Sequence, residues 1–481
     1  MLNLINTSWI PVIRADGPAL VRPDQIAEPD VVRLNWPRAD LNLACMELLI
    51  GLVYLAHPCT DRAAPPDAAT LRAALAPLAS AFNLLGDGPR FLQDIEPLSG
   101  DPNPPDMLFI DSAGASTAKK NADLMVRRGR YAGLPLPLAA MALFTMQAFA
   151  PSGGAGNRTS MRGGGPMVTL VRPETDGLWP LIWANVPHGT PLPPADLHRL
   201  PWMRKTMSSQ PNGVVIVPEQ GSQSSPAPEV FFGQPRRLRL VTEDGVVTGV
   251  IQQTYGNNYQ QWRHPLTPYY TDTKGQVLPL HPKPGAFGYR NWRGVLLTSD
   301  KGLKPQVLTT YLKDVKAAKC SLIVAGWAMD NMKPQDFIWS EQPVFALSED
   351  TEFAATDMVE AAESAGFALK VCTAEGTDGN HALAALEGFY SATQAPFETL
   401  LAKMAADGVT RHEDWLKMLR KAALAEFDAA VLPGLPDLAE SQRESAVKAR
   451  GKLLAAFNGF GLGKKIFTPL GMVATKKKET V

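Results

Sequence analysis

Between residues 411 and 432, Trp415, Leu419, Ala423, Phe427 and Val431 recur at every fourth position, with Met418 and Ala422 beside them. That spacing lines one face of a helix with apolar groups, so the segment predicts an amphipathic helix packed on neighbours. Runs rich in alanine, leucine, glutamate and lysine also lie near 351–370, 379–406 and 437–458, separated by short connections containing Gly, Pro or Asp. Short connections favour antiparallel neighbours, and the four runs predict a C-terminal four-helix bundle over residues 349–481.

The preceding 348 residues have a different texture. "RADLNLACMELLIGLVYLA" predicts an apolar helix with Asp40 as its N-cap. "LAAMALFTMQAFA", from Leu138 to Ala150, is bounded by Pro137 and Pro151. It falls short of the roughly 20 apolar residues that span a bilayer, so it predicts a core helix. "RLRLVTEDGVVTGVIQQTY" predicts a hairpin turning at Asp244 and Gly245. Strands and helices do not alternate regularly, which argues against a doubly wound parallel sheet. The expected fold class is α+β: a large irregular mixed N-terminal domain, residues 1–348, followed by the bundle.

Composition refines this. The chain has 481 residues, 45% of them hydrophobic, enough for extensive cores in two or three domains. Its 39 glycines and 42 prolines exceed the usual combined share of about 12%, so long irregular connections are expected, notably at 100–106, 187–196 and 210–229. Lys and Arg (47) balance Asp and Glu (47), which excludes a global basic field and leaves only local patches to hold a polyanion. Cys45, Cys59, Cys320 and Cys372 show no CxxC spacing and read as reduced thiols of a cytoplasmic protein. The N-terminus lacks the pattern of a signal peptide.

"PSGGAGNRTSMRGGGP", residues 151–166, contains six glycines among sixteen residues. It lacks the GK[ST] ending of a P-loop and precedes a strand-like "MVTLV", so a nucleoside triphosphate cradle is disfavoured. A plain surface turn and a binding loop both remain open. Arg158 and Arg162, with Asn157, Thr159 and Ser160, add charge and hydrogen-bonding groups suited to a nucleic-acid backbone. "STAKKNADLMVRRGRY" carries Lys119, Lys120, Arg127, Arg128 and Arg130 on an expected loop. "GWAMDNMKPQDFIW" places Asp330, Asn331, Met332 and Lys333 in a turn between aromatic residues, and Lys274 in "YTDTKGQV" sits at an expected hairpin tip. The seven histidines form no HExxH or HxH pattern, and no GxSxG elbow is present, so conventional catalysis finds little support, a site assembled from distant residues stays open, and no metal or cofactor is expected. "WRHPLTPYY" and "YRNWRGVL" read as structural aromatic clusters.

These stretches, in order along the chain, resemble the large subunit (CasA) family of the type I-E CRISPR surveillance complex, Cascade. The resemblance runs from "SWIPV" through "RADLNLACMELLIGLVYLA", "PRFLQD", "AKKNADLMVRRG", "ALFTMQAFAPSGGAGNRTSMRGGGPMVTLV", "WRHPLTPYY" and "YRNWRG" to "GWAMDNMK". It implies a non-enzymatic subunit without cofactor that reads the protospacer-adjacent motif (PAM) in duplex DNA from the minor groove and starts strand separation for the guide RNA. It also implies recruitment of the helicase-nuclease, with the backbone, small and guide-end subunits as further partners. By resemblance the PAM residues are Gly156, Asn157, Arg158, Thr159, Ser160, Lys274, Asn331, Met332 and Lys333. The loop after Phe109 and Ile110, with Lys119, Lys120 and Asn121, is implied to dock the 5′ end of the guide. Arg443, Lys448, Arg450 and Lys452 on the last bundle helix are candidates for phosphate contacts. Ser160 stands where an enterobacterial member has glycine, and Asn331 or Met332 where it has glutamine. The alternative from the residues alone is a metabolic enzyme holding a phosphorylated small molecule at the glycine loop.

Overall fold

The computed structural model describes residues 2–474 except 113–118, 122–126, 128, 155, 211–212, 219–226, 317–318 and 378. Contacts divide it into two compact units, Met1–Ala286 with Lys304–Gln342, and Phe287–Leu303 with Pro343–Val481.

The first unit opens with strands β1 (Ile10–Arg14), β2 (Gly17–Val21) and β3 (Val31–Leu34), in the antiparallel order β2-β1-β3. Ile10 and Val12 alternate inward along β1, so one face of this sheet joins the core. Helix α1 (Ala39–Ala56) is buried at nearly every position and packs on the later apolar helix. It is long and apolar enough to cross a membrane, yet 89% of it is buried inside the fold, which is the place of a core helix. Asp40 is not its N-cap: the helix begins at Ala39 with Arg38 at the cap, and Asp40 in the first turn bonds Arg38 at 2.9 Å and accepts from the Leu41 N–H. A carboxylate there still faces the positive end of the helix dipole.

Helix α2 (Ala68–Leu75) is capped by Asp67, whose side chain accepts from the Thr70 N–H at 2.7 Å. The second core helix, α3 (Leu136–Phe149), has Pro137 in its first turn, where no intrahelical donor is needed, and stops before Pro151. Strand β4 (Leu134–Pro135) precedes it; β5 (Val168–Pro173), β6 (Arg237–Glu243), β7 (Val246–Gln253), β8 (Tyr269–Thr271), β9 (Val277–Pro279), β10 (Cys320–Asp330) and β11 (Lys333–Pro343) follow. The hairpin expected at Asp244-Gly245 is β6–β7, and both turn residues have positive φ, 50° and 77°, the signature of a type I′ turn. Strand β10 lies between β5 and β11, and its middle residues Leu322–Gly326 are buried. Cys45, Cys59 and Cys372 are buried and Cys320 half-buried, all unpaired; burial pushes the Cys45 thiol up to about 12.

The second unit is the helical one. Helices α4 (Leu178–Ala184) and α5 (Gln306–Asp314) belong to the first unit, and the bundle follows as α6 (Glu349–Gly376), α7 (Gly379–Asp407), α8 (His412–Val431) and α9 (Glu440–Ala456). Ser348 caps α6 by accepting from the Thr351 N–H, and Glu349, Asp350 and Glu352 complement its dipole. The stripe Trp415, Leu419, Ala423, Phe427 and Val431 is buried as its spacing requires. The division expected at residue 348 differs from the compact units, because residues 287–303 pack with the bundle and the second contact boundary falls at Pro343. The physical reason is aromatic: Tyr289 stacks on Phe397 at 4.5 Å and meets Trp415 edge-on at 5.7 Å, and its hydroxyl bonds Thr393 Oγ1 at 2.8 Å. Trp292 packs on Phe397 at 5.7 Å. Rings of this size bury more apolar area inside a helical core than they could on a loop.

Candidate nucleic-acid interface

The glycine loop returns to the end of α3. The Ser160 N–H donates to Ala150 O at 3.0 Å and the Gly165 N–H to Phe149 O at 3.2 Å, occupying carbonyls that the helix end leaves free. Further along, Asn157 Nδ2 donates to Gly153 O and Gln252 Nε2 donates to Asn157 Oδ1, both at 2.9 Å. The Tyr255 N–H donates to Gly156 O at 2.7 Å. The loop is therefore a built structure.

What the glycines come close to is mainly this protein. A Cβ on Gly165 would stand 2.4 Å from Trp327 O, and one on Gly164 would stand 3.0 Å from Met332 Sδ, so both admit the β10–β11 hairpin. A Cβ on Gly163 would meet His281 at 2.9 Å. Gly154 is different: its φ is +92° and nothing lies within 4 Å, so its left-handed backbone faces open space. Ser152, Gly153 and Gly154 are exposed.

Two side chains expected to meet DNA are turned inward. Ser160 is 4% exposed and its hydroxyl donates to Gly163 O. Arg162, 2% exposed, forms an ion pair with Glu47 of α1 at 2.6 Å and donates to Thr267 Oγ1. A buried guanidinium needs a carboxylate, and α1 supplies one from the middle of its apolar length. Burial pushes the Glu47 carboxyl above its ordinary range against the pull of Arg162, and holds His264, 3.5 Å from Glu47, well below its own. Arg158 is half-buried and donates to Ser209 Oγ at 2.8 Å and Ser209 O at 2.6 Å, both neutral acceptors. Gly156, Asn157 and Thr159 are half-buried.

Asn331 and Met332 form the tip of the β10–β11 hairpin, with φ of 48° and 63°. Positive φ at both central residues is a type I′ turn, here made without glycine. The left-handed conformation costs an ordinary side chain about 1–2 kcal/mol, and strain of this kind clusters at functional sites. Met332 is 44% exposed although its sulfur approaches Gly164, and Lys333 next to it is exposed. Lys274 occupies the exposed β8–β9 tip, its N–H donating to Asp272 Oδ1 at 2.8 Å. The root of that hairpin rests on the exit of the glycine loop: the Met167 N–H donates to Leu280 O at 3.1 Å, and His281 Nδ1 donates to Gly165 O at 3.1 Å. Three stretches far apart in sequence thus share one platform.

Phe109 and Ile110, 1% and 3% exposed, do not offer side chains to a guide; they anchor the loop that follows. Phe109 stacks on Tyr131 at 4.6 Å, with the Arg38 and Arg130 guanidiniums 5.1 and 5.7 Å from its ring. Asp111 pinches the loop base by a two-point bond to Arg130, 2.8 Å on each side. Burial pushes Asp111 up, and Arg130 and Arg38 more than reverse this, leaving its carboxyl below the ordinary range. Lys119, Lys120 and Asn121 are exposed beyond that base, whereas Arg128 lies outside the described residues.

On α9 the basic residues are mostly matched within the bundle. Arg450 bonds Asp428 of α8 at 2.7 and 2.8 Å, Lys452 bonds Glu375 of α6 at 2.6 Å, and Lys448 pairs with Glu444 at 2.6 Å. Arg443 donates to Leu438 O at 2.8 Å. Arg450 and Lys452 therefore act as helix ties before they are phosphate ligands. One cluster went unread in the sequence: Cys59, His188 and Asp314 present possible ligand atoms within 4.8 Å. Asp314 already accepts from Arg62 at 3.2 Å and lies 2.8 Å from His188 Nε2, and His188 Nδ1 lies 2.8 Å from Cys59 O. A guanidinium on the shared carboxylate opposes a metal cation, so the cluster reads as a clamp between α5 and neighbouring loops.

Residues 3–425 match the family described as CRISPR-associated protein Cse1. Solved structures share the fold: Thermus thermophilus CasA (Cse1), 18% identical, TM-score 0.70, covering 94% of this chain and 99% of that one. Cse1 from Acidimicrobium ferrooxidans is 19% identical, with TM-score 0.68, covering 98% and 99%. A chain of a CRISPR RNA-guided surveillance complex is 14% identical, with TM-score 0.67, covering 94% and 99%. Identities this low establish likeness of fold.

Proposed function

Since the chain belongs to the CRISPR-associated protein Cse1 family, the large-subunit (CasA) family of type I-E Cascade, we propose that its platform reads the PAM in duplex DNA and opens the first base steps for a guide RNA. The carrying observation is the strained, exposed Asn331–Met332 turn seated on the glycine loop through Gly164. The minor groove is about 6 Å wide, so a thin loop and a hairpin tip enter where bulkier elements clash. Gly154 offers bare backbone there, and Asn331, Met332, Lys333 and Lys274 project from neighbouring tips. Met332 occupies stacking space as a base step opens, offsetting an unstacking cost of a few kcal/mol. Minor-groove patterns are degenerate, so the reader tolerates several related motifs.

Lys119, Lys120 and Asn121, held out beyond the Asp111–Arg130 base, take the 5′ end of the guide and dock the subunit among the others of the complex. The bundle supports the displaced strand through Arg443, which among the described residues bonds only the neutral Leu438 O, and presents the assembly to the helicase-nuclease. No step needs a cofactor or catalysis by this chain, and the location that goes with this work is cytoplasmic.

The test assembles the chain with its guide-loaded complex and measures binding to PAM duplex, PAM-less duplex and single-stranded target. Substituting Asn331→Ala together with Met332→Ala weakens binding to PAM duplex and spares the single strand, which needs no opening. Equal losses on duplex and single strand overturn the wedge.

A further inference from the structure

Arg236, at the foot of β6, is 6% exposed and lies directly under the glycine loop. Its Nη2 donates to Pro151 O, and its Nη1 would stand 2.8 Å from a Cβ on Gly153, so a side chain there would press on the guanidinium. Among the described residues its Nε has no partner, and no carboxylate pairs with it. The neighbouring buried guanidinium, Arg162, has Glu47, and the next residue along, Arg237, has Asp94 at 2.6 Å. Burial lowers Arg236 to about 10, which leaves it charged at neutral pH.

A buried cation without a counter-anion is costly, and such groups are ordinarily paired. Here the layer over the charge is one glycine thick, and Ser152, Gly153 and Gly154 above it are exposed. Arg158, bonded only to neutral Ser209, adds a second uncompensated guanidinium to the same loop. In a water-poor setting such charge acts more strongly on an incoming anion than a mobile surface lysine does.

We propose that the face formed by Ser152, Gly153 and Gly154 over Arg236 is a phosphate site, binding one backbone phosphate of the duplex beside the PAM. This rests on the DNA reading above and deepens it: Arg236 supplies the counter-charge from beneath, and the glycine backbone permits the close approach. The residue is a positioning and electrostatic group that touches no base, so its effect is independent of sequence.

The test is duplex binding by the assembled, guide-loaded complex across a salt series, with Arg236→Met and Arg236→Lys. Loss of one phosphate contact lowers the slope of log affinity against log salt by about 0.9, or roughly fivefold in affinity near physiological salt. Arg236→Met is expected to show this loss for PAM and PAM-less duplex alike, with the melting temperature unchanged or raised. Arg236→Lys keeps the charge and the wild-type slope. An unchanged slope in Arg236→Met, or an equal loss in Arg236→Lys, overturns the phosphate site while leaving PAM reading intact. Should Arg236→Met not assemble, Arg236→Gln replaces it, with the same loss of slope expected and an unchanged slope again overturning the site. Weakened guide retention with unaltered DNA binding also overturns it, and a wild-type complex indifferent to PAM duplex overturns the DNA reading itself.

Discussion

The glycine-loop platform and the last bundle helix carry comparable numbers of basic residues in the sequence, and folding treats them in opposite ways. On α9, Arg450, Lys452 and Lys448 each find a carboxylate within 2.8 Å. Around the loop, Arg158, Arg236, Lys274 and Lys333 have no carboxylate partner among the described residues, and only Arg162 is paired. A charge already satisfied by its own protein has little left for a polyanion, whereas an unsatisfied one retains its field. Counting lysines and arginines does not separate the two cases; pairing does.

The largest expected effect lies inside the loop itself. Arg162→Met leaves Glu47 buried without its partner, and breaking a buried pair from one side costs about 3–5 kcal/mol. Arg450→Met on the bundle breaks a partly exposed pair and costs at most about 1 kcal/mol. Urea denaturation of the two variants measures the contrast, and similar losses would erase the distinction between a buried support and a surface tie.

Acid comes next. His264 and His281 are both held below the ordinary histidine value, chiefly by burial. The unfolded chain therefore takes up protons below about pH 6.5 that the folded one refuses, so stability is full above that pH and declines beneath it. Each histidine contributes a slope of up to about 1.4 kcal/mol per pH unit until its folded-state value is reached. Both sit against the platform, through Glu47 and Gly165, so the loop loosens in this window. Melting temperatures at a series of pH values check it, and His264→Gln flattens the decline.

A third substitution separates stability from function at the hairpin tip. Met332→Gly relieves the left-handed strain and raises stability by up to about 1 kcal/mol, while duplex binding falls because the wedge is gone. A variant that is stabler and binds duplex as before would show that the strain serves the fold alone. The smallest effect returns to the opening contrast: Lys274→Ala reduces the salt slope of duplex binding by about one, and Lys452→Ala leaves it unchanged. Equal slopes for the two would make Lys452 a phosphate contact despite its bond to Glu375.

Much of the framework was legible from local pattern. The four-residue stripe of α8, the turn at Asp244-Gly245 and the core helix α3 depend on neighbours in sequence; the first two appear where their spacing put them, and α3 starts two residues earlier, with Pro137 inside its first turn. The candidate loops were legible as segments, because glycine density, a hairpin tip and a turn between aromatic residues are local features too. Their roles were less so. Nothing near Arg162 announces Glu47, which is 115 residues away, nor does Ser160 show that its hydroxyl bends back to Gly163. Phe109 and Ile110 looked like part of a contact loop and are its buried anchor.

The sequence by itself determined the elements, the two textures of the chain and the positions of flexible backbone, since periodicity and turn chemistry act over a few residues. Only the tertiary structure decided which side chains face outward, that residues 287–303 complete the bundle core, and which cations remain without an acid. Those outcomes depend on burial and on distances between residues remote in the chain, and both exist only once the chain has closed on itself.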